Sequence, residues 1–142
     1  MSSEYEDCIQ KGKIKPFSRG HTLVSREMDT SSSDLESAEK TFADGNYKWA
    51  TIQVYYAMFH AARALLYSNN MREHSHYCLV IAIKELFVDE KLVPVSLLES
   101  LKEAKSLRED ADYYNRWSQA GCSRLLADAR EWVTLARKIV DH

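Results

Sequence analysis

Residues 46–70, NYKWATIQVYYAMFHAARALLYSNN, form a long apolar stretch that contains neither Gly nor Pro. Between Trp49 and Ala62 there is no Lys, Arg, Asp or Glu. Such a stretch allows about six uninterrupted helical turns. Because the helix would be apolar around most of its circumference, we expect other helices to enclose it. The sequence therefore predicts a central core helix over Asn46–Asn70.

One side of this predicted helix is polar and aromatic. Its members, here called the polar stripe, recur every three or four positions: Trp49, Gln53, Tyr56, His60, Arg63 and Tyr67. Buried polar groups normally find hydrogen-bond partners, so the stripe could belong to a fully enclosed helix. Tyr, Trp and Arg are also enriched at interface hot spots, so it could equally line a subunit interface or a polar cleft. Periodicity alone does not choose between the two.

The length of 142 residues and the 45% hydrophobic content indicate one domain with a substantial core. The net charge of −2 argues against a general nucleic-acid or membrane-surface binder, because such proteins carry a broad excess of basic residues. The longest uncharged run, Trp49–Ala62, is too short to span a membrane. The first residues, MSSEYEDCIQ, are acidic and do not resemble a secretory signal. We therefore expect a cytoplasmic protein without a membrane partner.

The three cysteines, Cys8, Cys78 and Cys122, are scattered and odd in number. This usage is typical of a reducing compartment, so we expect no disulfide framework. The run His74-x-His76-x-Cys78 directs alternate side chains to different sides of a helix and has no second ligand pair. We expect no metal site and no cofactor.

Residues 1–30 carry a weak periodic pattern and two glycines, which predicts an irregular N-terminal arm. Several cations lie in this arm: Lys11, Lys13, Lys15 and Arg19. They are either a solvated basic turn or a phosphate-contacting segment.

The remaining residues, 31–142, read as helices without a clear strand. Capping boxes at Ser33–Glu36 and Ser96–Glu99 predict two helix starts, the first helix ending near Asp44 and the second reaching about Asn115. Apolar spacing predicts further helices over about Ser75–Asp89 and Ser118–Val140. The predicted fold is all-α, an antiparallel up-and-down bundle of four long helices plus a shorter one.

Three stretches carry a family resemblance: residues 35–66, residues 71–87 (MREHSHYCLVIAIKELF) and residues 107–114 (LREDADYY). Together they resemble the HEPN family, the nucleotide-binding domain of higher eukaryotes and prokaryotes, and particularly its small stand-alone prokaryotic members. The most specific parts are residues 55–62, His76, and Arg108 with residues 111–113. The resemblance implies a five-helix bundle that forms homodimers. It also implies a small nucleotidyltransferase as partner in a toxin–antitoxin-like module.

The resemblance implies two activities. Many members are metal-independent endoribonucleases that use an Arg followed, after four to six residues, by a His, whereas others bind nucleotides or partners. Arg72 and His76 have three residues between them, and the spacing from Arg137 to His142 ends at a terminal residue that tends to fray. We therefore favour nucleotide or RNA binding. A metal-independent endoribonuclease toxin and a ligand-free dimeric scaffold are the alternatives.

Two sets of site residues follow. Arg72 and His76 are the catalytic candidates, because RNA cleavage needs proton transfer and positive charge at the phosphate; alternatively, Ser75 or His74 simply caps the third helix. The resemblance places Arg108, Asp112 and Tyr113 in a polar cleft beside the polar stripe. The full set of ligand-binding candidates adds three residues of the stripe and one of the loop: Tyr56, His60, Arg63 and His74. The alternative for Arg108 and Asp112 is an ordinary i, i+4 ion pair.

Overall fold

The computed structural model describes residues 1–141. Its elements, in chain order, are α1 Ser3–Gln10, β1 Ile14–Pro16, α2 Gly20–Ala43, α3 Tyr47–Ser68, β2 Met71–Glu73, α4 His76–Ile83 with a π-helical extension Lys84–Val88, α5 Val95–Tyr113 and α6 Gln119–Val140. The four long helices, α2, α3, α5 and α6, with the shorter α4 confirm the predicted all-α bundle.

The central helix is α3, which packs against α2, α4, α5 and α6. It begins after Asn46, whose side chain accepts a hydrogen bond from the backbone N–H of Trp49. Its apolar side chains, such as Met58, Leu65 and Leu66, are fully buried. No described helix, α3 included, combines the length and the apolarity needed to cross a lipid bilayer. The predicted core helix over Asn46–Asn70 is confirmed.

One of the predicted helix starts is wrong: Ser33 lies exposed in the middle of α2. α5 begins at Val95, directly after Pro94 and one residue before the predicted start at Ser96, and Pro94 makes no side-chain capping bond. By contrast, Ser75 and Ser118 cap α4 and α6, accepting hydrogen bonds from the N–H groups of Cys78 and Gly121. A capping-box spacing also occurs inside helices, where packing rather than local sequence sets the start.

The early start of α2 depends on Gly20. A Cβ atom built at Gly20 would lie only 2.6 Å from the backbone oxygen of Tyr67, at the end of α3. The missing side chain therefore lets the first turn of α2 touch the last turn of α3. In the sequence this glycine reads as a helix breaker, whereas in the structure it permits close packing.

Residues 1–30, predicted as irregular, contain α1, β1 and the first half of α2. The strands β1 and β2 pair antiparallel, with Ile14 opposite Glu73, Lys15 opposite Arg72 and Pro16 opposite Met71. We call this two-stranded unit the ribbon. The expectation that no strand occurs was wrong, because strands of three residues are too short to show alternation and pair only after the chain folds.

A disulfide joins Cys8 of α1 to Cys78 of α4, across 70 residues of sequence. This corrects the prediction that no cysteines pair. Both residues are buried, and the free Cys122 is buried as well. Scattered spacing does not reveal a pairing that the bundle itself creates by laying α1 on α4.

Replacing Leu65 by Ala should destabilise the bundle by about 2–5 kcal/mol, because the side chain is fully buried in α3 and its removal leaves a cavity. The matched control is Leu92→Ala. Because Leu92 is 49% exposed, this substitution should lower the free energy of unfolding by less than about 0.5 kcal/mol. Urea unfolding measures both. Equal losses for the two variants would contradict the assigned core.

Alkylation of the denatured protein without reductant should modify one cysteine, Cys122, and alkylation after reduction should modify three. Intact mass counts the added groups. Three modified cysteines in protein purified under mildly oxidising conditions would contradict the Cys8–Cys78 bond.

Candidate functional site

The polar stripe of α3 lies between side chains of α2, which contact it at His60, and of α5, which contact it at Tyr56, and we call this region the groove. Trp49 is 50% exposed, and the next four members, Gln53, Tyr56, His60 and Arg63, are half-buried. Only Tyr67, at the end of the helix, is buried. The neighbouring α3 positions Val54, Ala57 and Ala61 have no exposed surface. The stripe is therefore the side of the core helix that the other helices leave partly open.

Arg108 of α5 reaches across this groove to α3. Its Nη2 donates to the hydroxyl oxygen of Tyr56 at 3.1 Å and lies 3.3 Å from Oδ2 of Asp112. Its guanidinium carbon lies 5.5 Å from the ring centroid of Tyr56 and 5.3 Å from that of Tyr113. Four of the predicted ligand-binding residues thus form one contiguous cluster.

Two buried polar atoms in the groove lack hydrogen-bond partners. Within residues 1–141, no group bonds to Oε1 of Gln53 or to Nε of Arg108. A buried polar group without a partner costs free energy, and native structures contain few of them. Both residues are half-buried.

On the α2 side of the groove, His60 contacts two carboxylates. Its Nδ1 lies 2.6 Å from Oε2 of Glu27, and its Nε2 lies 3.9 Å from Oδ2 of Asp34. Burial raises the pKa of the Asp34 carboxyl, and the charge of His60 opposes that rise. Sequence analysis missed Glu27 because it lay in the supposed arm. The spacing of seven residues to Asp34, two helical turns, was the available signal.

Arg63 forms a buried ion pair with Glu73 of β2. The Arg63 Nη2 lies 2.7 Å from Oε2 of Glu73, and Nε lies 3.3 Å from both carboxylate oxygens. Glu73 is only 4% exposed, and the Arg63 guanidinium also stacks 4.5 Å from the ring centroid of Phe59. The role of Glu73 was missed too, because only the pairing of β2 with β1 turns its side chain inward.

Arg72 and His76 are not brought together within the chain. Arg72 is exposed on β2, with its guanidinium 5.4 Å from the ring centroid of Phe17, which packs on Tyr67. His76 begins α4 and lies against Tyr55. Tyr55 and Tyr67 are separated by twelve residues of α3, which corresponds to about 18 Å along the helix axis. The third loop residue, His74, is exposed, and its N–H donates to the Lys13 carbonyl.

His76 and Tyr55 form a neutral pair at neutral pH. The Tyr55 hydroxyl lies 3.1 Å from Nδ1 of His76. Burial, assisted by the charge of Lys105, lowers the pKa of His76 to about 4. Burial also raises the pKa of Tyr55 to about 12. His76 therefore does not supply the positive charge that its position beside Arg72 in the sequence suggested.

Exposed aromatic side chains gather at the Trp49 end of the groove. They are 47–65% exposed and come from α3, from the end of α5 and from the loop before α6: Trp49, Tyr113, Tyr114 and Trp117. Lys48 lies between two of them, with Nζ 5.2 Å from the Trp49 ring centroid and 5.8 Å from that of Trp117. Trp117 was not a predicted site residue, because nothing in the sequence indicates that its loop folds beside Trp49.

Within residues 1–141, no three His, Cys, Asp or Glu side chains are grouped so that they could hold a metal ion. The second Arg-to-His spacing ends at His142, which lies outside the described residues.

A model of the HEPN domain family matches residues 24–142. A UPF0332 protein of Archaeoglobus fulgidus is 31% identical over 109 residues, which cover 75% of this chain and 86% of that protein. Two Methanocaldococcus jannaschii proteins named as candidate toxins are 29% and 30% identical over 79 and 80 residues, 56% of this chain in each case. The chain spans 54% and 60% of their lengths. The family match and the bundle agree, and the chain belongs to the HEPN domain family.

Proposed function

We propose that this HEPN-family protein binds a nucleotide or RNA in the groove along the polar stripe. The observation that carries the proposal is that two buried polar atoms, Gln53 Oε1 and Arg108 Nε, have no hydrogen-bond partner within residues 1–141. The Arg108 guanidinium also donates to the Tyr56 hydroxyl. The amide oxygen accepts and the guanidinium N–H donates, so together they complement a ligand that offers both kinds of group. The edges of nucleobases are ligands of this kind.

Stacking surfaces accompany these polar groups. The Arg108 guanidinium lies between the rings of Tyr56 and Tyr113, and the exposed aromatic residues at the Trp49 end continue the surface. Unpaired bases stack on aromatic rings and on guanidinium planes, and each stacked base contributes about 1–3 kcal/mol. The groove therefore combines hydrogen bonding and stacking over a continuous length.

The charges in the groove favour recognition of bases over recognition of phosphates. Three basic side chains there lie beside carboxylates: Arg63 beside Glu73, Arg108 beside Asp112 and His60 beside Glu27. Among the described residues Lys48, at the Trp49 end, has no carboxylate partner. Paired charges leave little net positive field for a phosphate chain. Specificity in the groove would thus come from base edges and ring faces.

We also propose a cytoplasmic homodimer that partners a small nucleotidyltransferase in a toxin–antitoxin-like module. The half-open stripe is rich in Tyr, Trp and Arg, the residue types of interface hot spots, which supports a subunit interface at or near the groove. The partner rests on the resemblance to small prokaryotic HEPN proteins, and the two relatives named as candidate toxins support the toxin context.

The endoribonuclease alternative has one observation in its favour: a neutral His76 is in the protonation state that a general base requires. The separation of Arg72 from His76 along α3 weighs against it. Incubating the protein with structured RNA in EDTA distinguishes the two functions. If the wild-type protein cleaves the RNA and His76→Ala does not, the endoribonuclease function is supported in place of the binding function.

Arg108→Ala should weaken binding of a fluorescent single-stranded RNA oligomer at least about tenfold, because it removes a stacking plane and hydrogen bonds together. The matched control is Arg124→Ala, which removes an exposed Arg that pairs with Glu103 on another surface and should leave affinity unchanged. Fluorescence anisotropy measures both affinities, and sedimentation checks that each variant keeps its assembly state. If the wild-type protein binds neither RNA nor nucleotides, the binding function is rejected and the ligand-free dimeric scaffold is the remaining alternative.

His76 should titrate near pH 4 in the folded protein, as followed by NMR of its ring protons. Its folded pKa lies below the unfolded value of about 6.5, so the unfolded state binds the proton more tightly. The stability that His76 contributes is therefore fully present above about pH 6.5 and is lost as pH falls toward 4. In His76→Gln this part of the pH dependence of stability should vanish. A His76 midpoint above 6 would contradict the assigned burial.

A further inference from the structure

We propose that the outward face of the ribbon is a polyanion site that holds the phosphate backbone of RNA, an inference that rests on the proposed function for the choice of RNA. Two successive facing pairs of the ribbon differ in burial. Ile14 and Glu73, which face each other across the strands, are buried. Their neighbours Lys15 and Arg72, the next facing pair, are both exposed.

The basic face is larger than this one pair. Lys13 and His74 are exposed and adjoin it on the other side of the buried pair, joined by the hydrogen bond from His74 N to Lys13 O. Lys13 and His74 lie just outside the strands, so the facing pair Lys15 and Arg72 is the centre of this basic region, in a chain whose net charge is −2.

The register is unfavourable without an anion. Like charges directly opposite each other on paired strands destabilise a ribbon. Among the residues that the structure describes, none of Lys13, Lys15 and Arg72 forms an ion pair with a carboxylate. The one acidic side chain of the ribbon, Glu73, is turned inward and bound to Arg63.

The start of α2 adds a second unfavourable placement beside the ribbon. Arg19 stands at the N-cap and its own side chain makes no capping hydrogen bond; the Asn70 side chain accepts from the His21 N–H, and the first turn of α2 contains no acidic residue. The N-terminus of a helix carries partial positive charge, so a cation there is repelled and an anion is attracted. Two independent electrostatic costs thus fall on the same corner of the molecule, and one bound polyanion relieves both.

The ribbon adjoins the groove. Arg72 lies on the ring of Phe17, Phe17 packs on Tyr67 with ring centroids 5.2 Å apart, and the Arg63 guanidinium lies 5.9 Å from the Tyr67 ring centroid. Tyr67 and Arg63 are members of the polar stripe. A strand of RNA whose bases lie in the groove, where Arg63 and Arg108 are paired with carboxylates, would therefore place its phosphates on the unpaired cations of the ribbon.

The test uses inorganic polyphosphate, which has no bases, beside a single-stranded RNA oligomer. The variant Lys15→Gln/Arg72→Gln should weaken polyphosphate binding about tenfold at low salt. It should also make the slope of log RNA affinity against log salt shallower by roughly 0.7 for each phosphate that the variant no longer neutralises. The matched control is Lys40→Gln/Arg130→Gln, which removes two exposed cations near the far end of α2, about 30 Å from Gly20. The control should alter neither quantity.

The outcomes separate the two proposals. Polyphosphate binding that depends on the ribbon, without any RNA binding, would support the polyanion site and reject the proposed function. RNA binding that falls in Arg108→Ala but keeps its salt dependence in Lys15→Gln/Arg72→Gln would overturn the ribbon site alone. Thermal midpoints complete the test: neutralising two repelling cations should not lower the midpoint, and a clear decrease would show that these cations serve stability instead. Binding of a purified acidic protein but not of polyphosphate would also overturn the phosphate assignment.

Discussion

The burial of α3 among α2, α4, α5 and α6 is the constraint on which the other contacts depend. Small side chains, Ala57, Ala61 and Ala64, let the neighbouring helices approach closely. Ser31 of α2 donates to the Ala57 carbonyl at 2.6 Å, and Gly20 brings the start of α2 against the end of α3. Since α3 is held on most sides, the one side left partly open is fixed in place, and that side carries the polar stripe.

Charge is distributed unevenly between the two surfaces that meet at Tyr67. Along the groove Arg63 and Arg108 each face a carboxylate, so stacking and hydrogen bonding dominate there. On the ribbon the cations face one another, because Glu73 is turned inward onto Arg63. A single ion pair therefore has two effects: it neutralises the end of the groove and leaves the outward face of the ribbon uncompensated.

Several contacts attach the N-terminal segment, residues 1–16, to the rest of the bundle. The ribbon fixes β1 to β2, and the Cys8–Cys78 bond fixes α1 to α4. The Tyr77 hydroxyl donates to Glu4, and the Ser2 N–H donates to Glu85, which adds polar contacts between the same elements. These connections place residues 1–16 against the His76 side of the bundle, where burial keeps the imidazole neutral.

The sequence by itself determined the central helix, the class of fold and the membership of the polar stripe, because long apolar periodicity and cap residues act locally along the chain. It also brought together Tyr56, Arg108, Asp112 and Tyr113 through the family resemblance. Only the tertiary structure decided the start of α2, the pairing of Cys8 with Cys78, the partners Glu27 and Glu73, and the separation of Arg72 from His76. Each of these depends on contacts between residues far apart in sequence. Gly20, which the sequence indicates as a helix breaker, permits close packing of α2 on α3, and the polar segment Met71–Glu73 forms a strand with one side buried.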